Sequence, residues 1–325
     1  MDGGRIRFAL STNWCAKRFS DGAAIADLAG EMGFDALELG YNTSFEQVPG
    51  FKSRIDRMPV DSVHAFCPVP VSAPRGYPEL HLLASEDEDE RALAAAFLRK
   101  SIQFAAETGA RAVVLHAGRV FLRSWLGNLG SDRLMPLWRN VRGTADAGIY
   151  STLLEKAKRR RRKRGAARMD VFCRELEKLF PALESAHVRV ALENLPSIEG
   201  FPDEDETLEI ARRYPGAPVA AWFDIGHAEI RAAFRWTGSA AGEAARLAGC
   251  IAGCHIHDVK GLDGDHCAVG EGHVDFAALR VLASPRILHV FEPAPGVSRT
   301  ALQSGLESLR RIWGGGPAPS APVHG

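Results

Sequence analysis

The chain has 325 residues, 46% of them hydrophobic, and its 40 basic residues balance 40 acidic ones. This length suits one domain of roughly 250 residues with insertions, so a second domain is not required. A formal net charge of zero excludes an overall field that would favour nucleic acid or a membrane surface, while a local patch stays open. No run reaches the roughly 18 apolar residues of a membrane span, and residues 1–6 contain no apolar signal segment. We therefore expect a soluble, cytoplasmic protein.

Eight short apolar segments recur along the chain and alternate with helical patterns, which is typical of a parallel sheet with helical crossovers. Six of them end in His, Asp or Glu. A closed parallel barrel gathers such ends on its C-terminal face, where its active site lies. The sequence therefore predicts an α/β fold, a single (β/α)8 TIM barrel over residues 1–313. The predicted strands are Ile6–Ser11, Ala36–Leu39, Val60–His64, Ala112–His116, Val188–Glu193, Val219–Asp224, Ile251–His257 and Ile287–Glu292.

Two helices have recognisable starts. The first is predicted from about Asp21 to Met32, where apolar residues recur at helical spacing before Gly33. The third is predicted to begin at Ser85, because a serine can cap a helix and Glu88, three residues later, can reach back to it.

An insertion of residues 119–170 follows the fourth predicted strand. Because loops after barrel strands lie on the catalytic face, its residues 119–150 are predicted to form a lid or specificity element, with a satellite helix packed on the barrel rim as the alternative. Within the insertion, the basic run Lys156–Arg164 would surround a helix with charge on all sides. This predicts a solvated surface, with a phosphate or nucleic-acid contact as the alternative. Residues 314–325, rich in glycine and proline, are predicted to form a disordered tail.

Predicted strands five to eight each end in a side chain that can bind a divalent metal. Carboxylate oxygen and imidazole nitrogen suit such ions, and this set leaves room in an octahedral shell for substrate oxygens. His257 has the same facing as His255 on its strand and is kept as a substitute for it. Further histidines predicted in the same layer are His64, His116, His227 and His266. The predicted metal ligands are Glu193, Asp224, His255 and Glu292.

Several of these segments resemble a known family. They resemble segments of the xylose isomerase-like TIM-barrel superfamily, which includes sugar isomerases and epimerases as well as endonuclease IV. The segments are Ala191–Asn194, Phe223–Ala228, His255–Asp258 and Asp265–His266 leading to Gly270–Gly272. The likeness covers roughly residues 5–310 apart from the insertion. It implies a manganese, cobalt or magnesium ion held by the predicted metal ligands.

The likeness to endonuclease IV further implies additional zinc ions. The third zinc site, at His227 and His266, departs from the endonuclease IV pattern, because Gly264 stands where an aspartate is expected. The chain also resembles the ketose 3-epimerases at Glu199, which has the spacing of their substrate-binding glutamate. It differs from them at Gly261, which stands in place of their arginine. The second and third zinc sites would use His64, His116 and Glu193, and His227 with His266, respectively.

Two enzymatic functions follow. We predict a metal-dependent isomerase or epimerase that acts on a sugar or sugar derivative through an enediolate, with Glu193 and Glu292 exchanging a proton on opposite faces of one carbon. The alternative is an endonuclease IV-like zinc phosphodiesterase acting on abasic DNA, the one interpretation with a nucleic-acid partner. A barrel that keeps its metal for binding a ligand or partner subunit is a third interpretation, and a homo-oligomeric state stays open. The predicted substrate-binding residues are His64, His116, Glu199, His227 and His266.

Overall fold

The computed structural model describes residues 5–124 and 127–314. Its centre is a closed barrel of parallel strands, namely β1 (Phe8–Ser11), β2 (Ala36–Leu39), β3 (Val60–His64), β4 (Ala112–Leu115), β5 (Arg189–Glu193), β6 (Val219–Asp224), β7 (Ile251–Ile256) and β8 (Leu288–Phe291). Each strand pairs with its neighbours in the sequence, and β8 pairs with β1. The predicted fold class is confirmed. Gly314, the predicted first residue of the tail, ends the last helix, and the remaining tail lies outside the described residues.

Helices cover the outside of the barrel, so that its strands are buried on both faces as parallel strands require. The helices are α1 (Gly22–Glu31), α2 (Val48–Lys52), α3 (Glu88–Thr108), α4 (Ser131–Val141), α5 (Ala147–Glu177), α6 (Phe180–Ala186), α7 (Glu204–Arg213), α8 (Ile225–Ala233), α9 (Ala240–Leu247) and α10 (Arg299–Gly314). Within the described ranges, no helix combines the length and the apolar character that crossing a bilayer would need.

The start of α3 differs from its prediction. The helix begins at Glu88, and the carboxylate of Asp87 accepts hydrogen bonds from the N–H groups of Asp89 and Glu90. Asp87 therefore caps the helix, because it has the extended backbone that directly precedes the first helical residue. The predicted cap, Ser85, lies two residues before the observed one.

Small residues and one tryptophan fill the barrel beneath the polar side chains. This inner layer consists of Ala9, Ala36, Ala112, Val114, Ala191, Trp222, Leu288 and Val290. Gly253 lies opposite Trp222 on the neighbouring strand, and a β-carbon at this glycine would overlap the indole ring. The indole makes a T-shaped contact with the His255 ring, with 5.2 Å between the ring centroids. The site therefore rests on an apolar floor.

The insertion forms α4 and most of α5, which pack against each other, and α5 also packs against α7. The rings of Trp138 and Tyr150 lie 4.7 Å apart between centroids. Nε1 of Trp138 donates to the Ala233 carbonyl at 2.9 Å, and the Tyr150 hydroxyl donates to the Phe234 carbonyl. Most of the insertion therefore consists of helices packed on the barrel rim. Residues 125–126 lie outside the described part.

The basic run Lys156–Arg164 has an inner face. Arg161 is 4% exposed, and its two terminal nitrogens each lie 2.7 Å from an oxygen of Glu206 on α7. One of them also donates to the Gly200 carbonyl at 2.5 Å. A β-carbon at Gly165, one turn further along, would overlap the Glu206 carboxylate. The prediction that the run is solvated on all sides is wrong at Arg161, because α7 supplies a buried carboxylate that no helical pattern reveals.

Candidate metal centre and active site

The C-terminal face of the barrel contains a cavity of about 250 Å³. Asp224 and His255 are fully buried, and His255 contacts Glu193 on the cavity wall. A larger cavity of about 590 Å³ lies outside the barrel beside α3, but its lining is mainly apolar and holds none of the predicted site residues. The polar cavity is therefore the candidate site. The predicted site residues that line it are His64, His116, Glu193, His227, His266 and Glu292.

Three carboxylates converge on one nitrogen of His255. Its Nδ1 lies 3.2 Å from Glu193 Oε1, 3.2 Å from Glu292 Oε2 and 3.5 Å from Asp224 Oδ2. The ligand atoms of these four residues, the primary cluster, all lie within 4.8 Å of one another. Like charges gathered in a buried space require a cation, and a divalent ion with oxygen and imidazole ligands fits this donor set.

Local structure orients Asp224 within the primary cluster. Its Oδ1 accepts a hydrogen bond from the His227 N–H at 2.7 Å, which caps α8. Its backbone N–H donates to Asn194 Oδ1 at 2.7 Å, and Asn194 Nδ2 donates back to its carbonyl at 3.0 Å. One carboxylate oxygen thus begins a helix, while the other faces His255.

The surrounding charges lower the pKa of two of the three carboxylates, Glu193 and Asp224. Burial by itself raises the pKa of Glu193, but the imidazoles of His116 and His255 outweigh this effect and bring the pKa well below its usual value. Burial lowers the pKa of His255, but the carboxylates of Glu292, Glu38 and Glu193 outweigh it and raise the pKa well above its usual value. The centre therefore concentrates negative charge that a bound cation would balance.

His64 and His116 form a secondary group with Glu193. Nδ1 of His64 donates to the Ala65 carbonyl at 2.9 Å, so that a neutral ring has an unprotonated Nε2, and this atom lies 3.2 Å from Glu193 Oε2. Nε2 of His116 lies 3.0 Å from the same oxygen, and Nδ1 of that ring is buried without a hydrogen-bond partner. Two acceptor atoms that face each other repel unless a proton or a metal ion lies between them. This donor set therefore fits a second ion that shares Glu193 with the primary cluster.

The third group consists of His227, His257 and His266. Nε2 of His257 lies 3.0 Å from Asp224 Oδ1, and its Nδ1 accepts a hydrogen bond from the His266 N–H at 2.9 Å, so both of its nitrogens are engaged. The Nδ1 atoms of His227 and His266 pair with backbone carbonyls at 2.9 and 2.7 Å, which leaves Nε2 of each neutral ring unprotonated. The ligand atoms of the three rings lie within 4.8 Å of one another. Gly264 stands where a carboxylate was expected, and substrate binding by His227 and His266 stays a prediction.

A sequence profile described as the xylose isomerase-like TIM barrel matches residues 26–285. The chain belongs to this family. An uncharacterized protein of Methanocaldococcus jannaschii is 25% identical over 198 residues, which are 59% of this chain and 53% of that protein. This chain therefore matches about half the length of that curated relative.

Solved structures with the same barrel include sugar epimerases. A D-tagatose 3-epimerase-like protein is 21% identical, with a TM-score of 0.63 over 94% of this chain and 97% of that one. The 3-keto-D-glucoside 4-epimerase of E. coli is 14% identical, with a TM-score of 0.66 over 94% of this chain and 100% of that one. At such identities, these likenesses show a shared fold.

In this xylose isomerase-like barrel, Glu38 is a buried site residue that the strand-end pattern did not reveal. It lies on β2, is 0% exposed, and accepts a hydrogen bond from Ser62 Oγ at 2.8 Å. One of its oxygens is 3.2 Å from Nε2 of His255. Ala36 faces the barrel interior, so strand alternation predicts that Glu38, two residues later, does so too. It was overlooked because it lies inside a strand and not at its end.

The mouth of the cavity has an ion pair that was also not predicted. Nε of Arg119, in the insertion, lies 2.9 Å from both carboxylate oxygens of Glu79, and both residues line the cavity. Arg119 is the one lysine or arginine among the described lining residues, and it is paired. A substrate phosphate would therefore meet no unpaired arginine or lysine there.

Glu199 lies apart from the cavity lining. Its carboxylate accepts hydrogen bonds from the Ser131 N–H at 2.9 Å and the Ser131 hydroxyl at 2.5 Å, at the first residue of α4. Its backbone carbonyl accepts a hydrogen bond from the Val120 N–H at 2.7 Å. In this structure Glu199 joins the insertion to the loop after β5, and its contact with substrate stays a prediction.

Proposed function

We propose that the protein is a metal-dependent isomerase or epimerase of a sugar or sugar derivative. The primary cluster carries the proposal, because Glu193 and Glu292 both lie 3.2 Å from Nδ1 of His255 and both line the cavity. A substrate carbon held above this cluster would have carboxylates within reach, which proton exchange at that carbon requires. The shared fold with sugar epimerases supports the same substrate class.

A bound divalent ion would supply polarisation of a substrate carbonyl oxygen, held by Glu193, Asp224, His255 and Glu292. One of the two glutamates removes the proton from the carbon next to the carbonyl, which gives an enediolate. The other glutamate, in its protonated form, gives its proton to the opposite face of that carbon in an epimerase. Nδ2 of Asn13 donates to Glu292 Oε1 at 3.1 Å, so that Oε2 stays directed at the cluster.

The lining of the cavity suits an unphosphorylated polyol. The free Nε2 atoms of His227 and His266 can accept hydrogen bonds from hydroxyl groups, and the Arg119–Glu79 pair offers donors and acceptors at the mouth. A phosphate group would instead add negative charge to a cavity whose arginine is already paired. We therefore expect the substrate to be a neutral sugar.

The test is solvent-exchange turnover on a panel of unphosphorylated ketoses and aldoses. Protein stripped of metal and reloaded with manganese, cobalt or magnesium should convert at least one of them and should incorporate deuterium from heavy water at the reacting carbon. Glu193→Gln and Glu292→Gln should each lower turnover by about 100-fold or more. Glu209→Gln, at an exposed position of α7, is the matched control and should turn over like the unmodified protein. Absence of deuterium incorporation with every sugar would contradict the proposal.

A zinc phosphodiesterase acting on abasic DNA is the second candidate. The secondary group favours it, because clustered ions can generate hydroxide and stabilise the leaving oxygen. The third group weighs against it, because His257 is engaged with Asp224 and the Asp265 carboxylate lies 4.0 Å from Nε2 of His266, beyond hydrogen-bond distance. The basic run is also a weaker DNA contact than its composition indicates, since Arg161 is buried against Glu206.

Metal content distinguishes the two candidates. Plasma mass spectrometry on protein purified without added metal or chelator should find close to one manganese, cobalt or magnesium ion per chain for the isomerase. Several zinc ions per chain, together with cleavage of a duplex containing an abasic site, would favour the phosphodiesterase. In that case His64→Ala, which lies outside the primary cluster, should abolish cleavage.

A further inference from the structure

We propose that Glu38 is a positioning residue that fixes the His255 ring so that its Nδ1 faces the metal of the primary cluster. The inference rests on the proposed function, because it concerns how the metal of that function is held. Glu38 itself is buried beneath the cavity and is absent from its lining, so it acts through His255 and not on a substrate.

The two nitrogens of His255 have different surroundings. Nδ1 faces the three carboxylates of the primary cluster, whereas Nε2 lies 3.2 and 3.3 Å from the two oxygens of Glu38. A neutral imidazole has one N–H, so a ring that binds metal through Nδ1 must keep its proton on Nε2. Glu38 accepts that N–H and thereby selects this tautomer.

Neighbouring rings restrict how His255 can turn. The His64 ring is nearly parallel to it, with 5.8 Å between centroids, and the Trp222 ring meets it at 71° with 5.2 Å between centroids. Packing on two sides limits rotation of the His255 ring about its Cβ–Cγ bond. The hydrogen bond to Glu38 then defines which ring nitrogen faces the primary cluster. Packing and hydrogen bonding therefore agree on one orientation.

The burial of Glu38 also needs an explanation that packing alone does not provide. An ionised carboxylate inside a barrel costs free energy unless it is paired and hydrogen-bonded. Its described partners are His255 and the Ser62 hydroxyl, which donates to Oε2 at 2.8 Å. A glutamine would fill the same volume without the charge. A carboxylate at this position is explained if it makes the His255 ring a stronger metal ligand, as carboxylate–histidine–metal arrangements do.

The expected effect is a loss of metal affinity. Glu38→Gln should weaken binding of Co²⁺ to metal-stripped protein by about 10-fold to 100-fold, measured by competition with a chelator. Ser62→Ala removes one hydrogen bond to the same carboxylate but keeps its charge, and it should weaken binding by a smaller factor. Glu204→Gln is the matched control. Glu204 is 4% exposed, forms an ion pair with Arg231 at 2.9 Å, and lies outside the primary cluster.

A spectroscopic measurement separates positioning from general damage. In zinc-loaded protein with ¹⁵N-labelled histidines, long-range ¹H–¹⁵N correlation should report His255 as protonated at Nε2 and metal-bound at Nδ1. In Glu38→Gln the Nε2–H resonance should shift or exchange with solvent, whereas in Glu204→Gln it should not move. This readout does not depend on turnover.

The outcomes are distinct. Weaker Co²⁺ binding in Glu38→Gln but not in Glu204→Gln, with the altered Nε2–H resonance, supports the inference. Equal affinity in the unmodified protein and Glu38→Gln, or equal weakening in both glutamine variants, overturns it. If Glu38→Gln does not fold, Ser62→Ala decides, and unchanged affinity in that variant overturns the inference. Failure of the unmodified protein to bind any divalent ion would instead overturn the proposed function.

Discussion

The buried pair of Arg161 and Glu206 joins the insertion to the barrel, and its removal has a calculable effect. Arg161→Met keeps the apolar stem of the side chain and removes the charge. Glu206 then loses both 2.7 Å hydrogen bonds, and Asp203, 3.6 Å from Arg161, loses its nearby cation. The Gly200 carbonyl loses a donor as well.

The loss depends on pH. Removing one partner of a buried ion pair costs about 3–5 kcal/mol, because the other charge stays buried. Burial raises the pKa of Glu206 above its usual 4.5 even with Arg161 beside it. A raised pKa in the folded state means that the protonated form is favoured there, so the penalty is small at low pH and grows as pH rises through the folded pKa. We expect Arg161→Met to lose about 3 kcal/mol or more at pH 8 and less than this at pH 5.

Urea unfolding followed by circular dichroism at both pH values measures this difference. Arg162→Met, an exposed neighbour in the same run, is the control and should change the free energy of unfolding by no more than about 0.5 kcal/mol. Replacing both Arg161 and Glu206 by Met should recover most of the loss, because no charge is left buried. A loss below about 1 kcal/mol at pH 8, or no recovery in the double variant, would refute the reasoning.

Three further predictions concern pH, packing and metal. Burial lowers the pKa of His289 to about 4, whereas the unfolded state binds a proton near 6.5, so stability should fall by up to about 3 kcal/mol as pH drops through this window, and His289→Gln should flatten that slope in urea unfolding. Gly165→Ala should destabilise by about 1–3 kcal/mol because the added carbon overlaps Glu206, whereas Gly148→Ala, with nothing within 4 Å, should stabilise by up to about 1 kcal/mol in thermal unfolding. A divalent ion at about 100 times its Kd should raise the free energy of unfolding by about 2.7 kcal/mol, and Asp224→Asn should abolish this gain.

Strand ends were predictable because their chemistry is local. The apolar runs before Glu193, Asp224 and Glu292 each stop at the ligand, and a parallel barrel brings such ends together whatever the loops do. Glu38 faces the barrel interior as the alternation of side chains along β2 requires. It lies within its strand, so a search for polar residues at strand ends does not find it. Its partner, Nε2 of His255, is known only once the barrel closes.

Side chains whose partners are distant in the sequence were not predictable. Arg161 reads as one more solvated charge in a basic helix until Glu206, 45 residues later, lies against it. Glu199 has the spacing of a substrate ligand, yet its carboxylate binds Ser131, 68 residues earlier. In both cases the decisive contact is made by the insertion, whose path over the rim no periodicity specifies.

The charge of the centre links the number of metal ions to the choice of function. Glu38, Glu193, Asp224 and Glu292 are all buried, so one divalent ion offsets half of their combined charge when all are ionised. The remainder needs either protonated histidines or a second ion beside Glu193. With one ion, His64 and His116 stay free to bind substrate hydroxyls, as a sugar epimerase can use them. With a second ion, both become ligands, and the cavity then presents clustered Lewis acids to a phosphodiester. The shared carboxylate of Glu193, 3.2 Å from His64 and 3.0 Å from His116, is where the two functions diverge.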